Sequence, residues 1–172
     1  NRPELMRKAL RTAADTLSLD LEDAVPLAQK PQARDHVAAF LRDPACRDRE
    51  IIVRVNSRDS GLLLADLLVV APARPDIINV PKVESVRDLQ FADDVLNHVE
   101  REHGIAQGSI RLMPTLESAR GIRLAVEVCQ ASSRVAALQF GMGDLRASSG
   151  IGTSAECLRP RSEEHTSELQ SH

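Results

Sequence analysis

Glu117 and Asp144 close consecutive predicted strands, and consecutive strands of a parallel sheet are usually neighbours. Two bare carboxylates about 4 Å apart repel by roughly 4 kcal/mol at an effective dielectric near 20, so a proton or a cation must relieve them. Oxygen ligands, few in number and with no clustered His or Cys beside them, suit Mg²⁺ that keeps open positions for water and substrate. A plainer reading fits the same residues. Glu117 could be a first-turn helix acid facing the macrodipole, and Asp144 a loop carboxylate.

The other strand ends carry charge as well: Glu22 and Asp23, then Arg54 and Asn56, then Lys82 and Glu84. Alternation of side chains along a strand lets Asp20 and Glu22, Arg54 and Asn56, and Lys82 and Glu84 each share one face, and those faces could converge on one mouth. Polar loops and helix caps explain any single end, including Asp23, Ser57 and Ser85. Five polar ends in succession favour a common site.

The elements that must position these residues alternate. Apolar or β-branched runs at Thr16 to Leu21, Ile51 to Val55, Ile77 to Val83, Ile110 to Leu116 and Val135 to Phe140 predict five strands. Helical periodicity predicts helices over Pro3 to Ala14, Pro31 to Leu41, Leu62 to Val70, Val86 to Val99 and Ala119 to Val128. Units of roughly 25 to 36 residues argue for parallel βαβ connections. Two architectures hold them, an open doubly wound sheet and a (β/α)₈ barrel. The first strand ends in Asp20-Leu21-Glu22-Asp23, without the glycine-rich turn common in the former. A barrel needs about 250 residues, so 172 supply about five of its eight units.

Composition excludes several classes. The net charge is −3, with three Phe and no Trp or Tyr, which leaves neither a positive field for phosphate backbones nor rings on which bases stack. No nucleic-acid partner is expected. The apolar run Leu62 to Ala73 is broken by Asp66 and is too short for a bilayer, so no membrane partner is expected. Cys46, Cys129 and Cys157 are odd in number and far apart, which argues against a disulfide framework or zinc site and for a reducing, cytoplasmic setting. The last twelve residues, Arg161 to His172, read like a translated sequencing adapter and stand outside the expected fold of residues 1–160. The expectation is of a fragment whose natural protein continues beyond Pro160, and a start at Asn1 instead of Met leaves a targeting segment upstream open.

The blocks LSLDLEDAVP (Leu17 to Pro26), IIVRVNS (Ile51 to Ser57), INVPKVES (Ile78 to Ser85), LMPTLESARG (Leu112 to Gly121) and LQFGMGDL (Leu138 to Leu145) follow one another in order and spacing. Together with the opening NRPELMRKAL, they resemble the HpcH/HpaI aldolase/citrate lyase family, most closely its citrate lyase β-subunit-like branch. The resemblance covers nearly all of residues 1–160. It implies a TIM (β/α)₈ barrel whose first strand precedes Asn1 and whose last strands follow Pro160.

By the same resemblance Glu117 and Asp144 take magnesium-ligand positions, with Glu117 also at the substrate. Arg54 takes the position that grips the carboxylate of the keto-acid product. Glu22 and Asp23 form an acidic pair that orders water and orients that arginine, while Arg2 and Lys8 match positions near the coenzyme A phosphates. Lys82 and Glu84 match a family motif and are given only supporting roles. The implied enzyme is a Mg²⁺-dependent carbon–carbon lyase. It cleaves a 3-hydroxyacyl-CoA such as citryl-CoA or malyl-CoA to an acyl-CoA and a keto acid such as oxaloacetate or glyoxylate. The implied full-length assembly is a homo-oligomer, a trimer or hexamer.

Two features depart from the family pattern. Gly143 precedes Asp144 where many relatives have an acidic or polar residue. The family's general acid/base comes from a region after the sixth strand, often from a neighbouring subunit, so the fragment alone is expected to be inactive. Open sheet edges also predict poor solubility. Alternatives are a metal-dependent aldolase acting on hydroxy keto acids without CoA, a malyl-CoA thioesterase, and a non-catalytic subunit of a lyase complex. Gly150-x-Gly152-x-x-Ala155 follows a polar loop instead of a strand, so it makes a poor dinucleotide turn. His36, His98 and His103 lack ligand spacing, and Ser148, Ser149 and Ser154 lie outside any GxSxG elbow.

Overall fold

All five predicted strands form, as β1 (Thr16–Asp20), β2 (Glu50–Arg54), β3 (Ile77–Val80), β4 (Arg111–Leu116) and β5 (Gln139–Phe140) of a computed structural model. The structure describes residues 2–150. The expected boundary at Pro160, the tail Arg161 to His172, and Gly152, Ser154, Ala155 and Cys157 lie outside the described residues. The strands are parallel and lie in chain order, β1-β2-β3-β4-β5, each paired to the next. This is the half-barrel expected from sequential βα units.

Alternation sorts the strand residues. Leu17 and Leu19 of β1 and Ile51 and Val53 of β2 are buried against the helices. All four residues of the central β3 are buried, as a strand covered on both faces requires. The opposite face carries a polar series: Thr16 Oγ1 donates to Glu50 (3.1 Å), Arg111 donates to Glu50 (2.6 Å), and Arg54 meets Asp20. Nearer the mouth, Asn79 donates to Gln139 (2.7 Å) and Thr115 donates to Asn79 (3.0 Å), which links β3, β4 and β5 through their side chains.

The helices are α1 (Pro3–Ala9), α2 (Lys30–Leu41), α3 (Leu63–Val70), α4 (Val86–Glu102), α5 (Ala119–Arg123), α6 (Ala125–Cys129) and α7 (Met142–Ser149). In α4 the buried Leu89, Ala92, Leu96 and Val99 recur at helical spacing, and Ser85 with Asp88 forms a capping box at its start. Two predicted helices are corrected. The first ends at Ala9 instead of Ala14, with the Thr12 hydroxyl donating to the Ala9 carbonyl. The predicted Ala119 to Val128 helix splits at Leu124, which leaves helical geometry (φ −99°, ψ 16°) and divides its N–H between the carbonyls of Arg120 and Gly121. The fifth strand is also shorter than expected. Only Gln139 and Phe140 pair regularly, and Val135 contributes an isolated bridge to Leu112.

Two buried polar networks brace the layers. Asp66 of α3 accepts from Arg34 (2.5 Å) and from the backbone (2.7 Å) and side chain (2.6 Å) of Asn56. Arg134, ahead of β5, donates to Glu100 through Nη1 (2.7 Å) and Nη2 (2.6 Å), to Asp93 (2.6 Å) and to Asn97 (2.7 Å). Glu100 also accepts the N–H groups of Gly108 and Ile110. Among the described residues no helix is long and apolar enough to cross a membrane.

Candidate functional site

Asp20 and Arg54 are the last residues of β1 and β2 and stand opposite each other in the parallel register. Arg54 donates from Nε to Asp20 Oδ1 (2.8 Å) and from Nη2 to Oδ2 (2.6 Å), a planar two-point contact. Asp20 also accepts from the backbone of Glu22 (2.8 Å) and Ala24 (3.1 Å). Burial pushes its carboxyl up, but these donors outweigh burial and hold it below its ordinary value. The remaining Arg54 nitrogen, Nη1, lies 3.3 Å from both Glu22 Oε2 and Asp23 Oδ2. The acidic pair therefore touches the arginine, as the resemblance implies, yet Asp20 is the residue that fixes its plane. Sequence reasoning noted Asp20 only as sharing a face with Glu22. Its role became legible with the β1–β2 register.

The turn after β1 is held from behind. Buried Lys30 donates to the carbonyls of Leu21 (2.7 Å) and Glu22 (2.8 Å), and Asn56 donates to Leu21 O (3.1 Å). Asn56 thus turns toward Asp66 and the helix layer and does not share a face with Arg54. The expected pairing of those two fails because β2 ends at Arg54 and the chain bends away from strand geometry.

Lys82 corrects another strand-based expectation. β3 stops at Val80, and Lys82 sits in the left-handed region (φ 53°), so alternation with Glu84 does not apply. Its ammonium donates to Glu22 (2.8 Å) and lies 3.6 Å from Asp144 and 3.8 Å from Asp23. That places the lysine among three mouth acids, closer to the centre than a supporting role predicts. The hydrogen bond to Glu22 raises the Lys82 pKa, while burial raises that of Glu22 against the pull of Lys82.

Glu117 directly follows β4, and Asp144 lies in the first turn of α7, not in a loop. Their carboxyl groups lie within hydrogen-bonding reach of each other. Burial, that contact and the charge of Glu22 push the Glu117 carboxyl up to about 7, with Lys82 opposing. A cavity of about 520 Å³ opens beside them, lined by Lys82, Glu84, Ser118 and Ser148 among others. Among the described residues no three His, Cys, Asp or Glu side chains form a ready cage for an ion. Two adjacent carboxyl groups, one with a raised pKa, and open space alongside fit Mg²⁺, which takes few protein ligands and retains water.

The raised Glu117 value sets a pH dependence. Between its ordinary value of 4.5 and about 7 the folded chain keeps a proton that the unfolded chain has lost. Metal-free stability therefore falls as pH rises through that window, by roughly 1 to 3 kcal/mol. A Mg²⁺ ion held by Glu117 would compete with the same proton, so its affinity would rise up to about tenfold per pH unit until pH 7 and then level. Titration calorimetry and urea denaturation at pH 5 to 8 test both slopes.

Gly141 shapes this pair by lacking a side chain. A Cβ there would lie 2.3 Å from Glu117 Cγ and 2.8 Å from Cδ, too close for either to stay in place. Gly141→Ala is expected to displace Glu117 and weaken Mg²⁺ binding at least about tenfold. Calorimetric affinity unchanged from the parent would show that Glu117 does not hold the ion.

Arg2 and Lys8 diverge. Arg2 lines a cavity of about 330 Å³ with Leu5, Ser18 and Asp20, beside the mouth, whereas Lys8 is exposed on α1 and is not among the residues lining it.

Residues 1–159 match the HpcH/HpaI aldolase/citrate lyase family. Citrate lyase subunit beta of Haemophilus influenzae is 37% identical over 130 residues, covering 76% of this chain and 45% of that protein. The L-malyl-CoA/beta-methylmalyl-CoA lyase of Rhodobacter capsulatus is 33% identical over 156 residues, covering 89% and 49%. The citrate lyase beta subunit from M. tuberculosis, complexed with oxaloacetate and magnesium, superposes with a TM-score of 0.70 at 29% identity, covering 95% of this chain and 65% of that one. The chain spans about half the length of the curated relatives it matches.

Proposed function

Because the chain belongs to the HpcH/HpaI aldolase/citrate lyase family, we propose that it forms the metal-binding part of a carbon–carbon lyase mouth, cleaving a 3-hydroxyacyl-CoA of the citryl-CoA or malyl-CoA type. The observation that carries this reading is the continuous chain of contacts from Arg54 through Glu22 and Lys82 to Asp144 and Glu117. It joins an anion-gripping cation to a pair of metal-type ligands around one opening. The relatives named above include a citrate lyase subunit and a malyl-CoA lyase, and the M. tuberculosis protein carries oxaloacetate and magnesium.

Cleavage breaks the C2–C3 bond. The 3-hydroxyl loses its proton as the keto acid forms, and the electron pair passes to C2 as a thioester enolate that a proton then quenches. Glu117 and Asp144 would hold Mg²⁺, which would supply Lewis-acid polarisation of the substrate oxygens. Arg54, fixed in plane by Asp20, presents Nη1 to the keto-acid carboxylate, which takes the place of Glu22 and Asp23 at that nitrogen. Lys82 offsets the negative charge of Glu22, Asp23 and Asp144, so an anionic substrate carboxylate can approach them. Arg2 offers its guanidinium to a coenzyme A phosphate from beside β1. Because Lys8 does not join it, a CoA-independent aldolase acting on hydroxy keto acids is the second reading.

The test is a Mg²⁺-dependent cleavage assay on a chain extended to the length of its relatives, with citryl-CoA, malyl-CoA and a CoA-free hydroxy keto acid. Release of acetyl-CoA with a keto acid supports the lyase. Free CoA without acetyl-CoA points to a thioesterase, and pyruvate from the CoA-free substrate to the aldolase. Mg²⁺ binding without turnover points to a non-catalytic subunit. A trimer or hexamer in solution is part of the same proposal.

A further inference from the structure

The end of the sheet remote from the mouth carries a second concavity, about 400 Å³ in volume. It lies where β2 and β3 begin: Ile51 in its wall is three residues before Arg54, about 10 Å along the strand, and Asp76 directly precedes β3. Four arginines line it, Arg42, Arg47, Arg49 and Arg74, against two carboxylates, Asp43 and Asp76. Both carboxylates are engaged locally, Asp43 accepting the N–H of Ala45 (3.0 Å) and Asp76 that of Ile51 (2.8 Å). Arg49 donates to the carbonyls of Ala14 and Thr12. Arg42, Arg47 and Arg74 are exposed, and their guanidinium groups have no hydrogen-bond or ion-pair partner among the described residues.

Three guanidinium groups that make no ion pair thus surround one cavity, in which four arginines outnumber two carboxylates, each of the three from a different segment: the end of α2, the turn after it, and the turn before β3. Arg74 is moreover held at φ 60°, where glycine is favoured, so a charged side chain stands at a position its own backbone disfavours. A single carboxylate is satisfied by one planar fork. Several forks arriving from different directions match a tetrahedral group with more oxygens.

We propose that this cavity binds a phosphate-bearing anion, a phosphate ester or pyrophosphate, through Arg42, Arg47 and Arg74, at a site separate from the mouth. The probe is inorganic pyrophosphate in metal-free buffer, measured by calorimetry on the 172-residue chain with circular dichroism confirming the fold. One equivalent should bind, more weakly as salt rises. Arg47→Gln/Arg74→Gly should weaken it at least about tenfold; glycine adopts the left-handed backbone freely, and neither side chain holds another residue. Should that pair fail to fold, Arg42→Gln must weaken binding on its own. Arg54→Gln, at the mouth, should leave binding unchanged. Absence of saturable binding by the folded chain, equal affinity in the cavity variants, loss in Arg54→Gln, or acetate binding as tightly as pyrophosphate would each overturn the assignment.

Discussion

Arg54→Lys in a chain of full family length is expected to lower kcat/KM by about 10²- to 10³-fold while leaving the fold intact. The guanidinium uses Nε and Nη2 to lock onto Asp20, which leaves Nη1, between Glu22 and Asp23, as the nitrogen turned to the mouth. Lysine keeps the charge but is a single point on a flexible stem. It can satisfy Asp20 or reach the substrate, not both in one plane. Because the keto-acid carboxylate sits on the carbon that becomes the keto carbon, misplacing it misaligns the breaking C2–C3 bond, so the loss should fall on kcat as well as KM. The double variant Arg54→Lys/Asp20→Asn should cost little beyond the single change, since the two residues act as a unit. Kinetics matching the parent would remove Arg54 from the reaction.

Arg134→Met is expected to destabilise the chain by about 3 to 5 kcal/mol. Glu100 is fully buried, and burial alone would push its carboxyl up; Arg134 and the N–H groups of Gly108 and Ile110 more than reverse that. Without the arginine a carboxylate remains inside with two backbone donors and no counter-charge. Arg134→Met/Glu100→Leu should recover much of the loss, because an apolar pair of similar volume avoids the desolvation that the ion pair must overcome. Urea denaturation of the two variants and the parent measures both terms. A loss below about 1 kcal/mol in the single variant would mean that water reaches Glu100 and screens it.

The parts of this molecule that could be read from sequence are those encoded by local periodicity. The alternation in Thr16 to Leu21 and Ile51 to Val55 located β1 and β2 within a residue or two, and the spacing of Leu89, Leu96 and Val99 located α4. The motif blocks located Arg54, Glu117 and Asp144, which the fold gathers at one mouth. What escaped was set by pairing or by a single backbone angle. Asp20 needed the register that places it against Arg54. Lys82 needed its left-handed turn, which no strand rule anticipates. Glu100 and Arg134 lie far apart in the chain, and nothing in either neighbourhood announces the other. Asn56 obeyed the period-2 rule on paper, but the strand had already ended.

The strand order has a consequence for how the chain is made. Since each of the five described strands after the first rests on the one synthesised just before it, none of these pairings waits for a distant segment. Each new βα unit leaving the ribosome can dock at once onto an existing edge, so structure accumulates from the amino end at the pace of translation. Loop-closure entropy is then met in small instalments, which favours rapid assembly over the slow searches typical of sheets whose partners are remote in sequence.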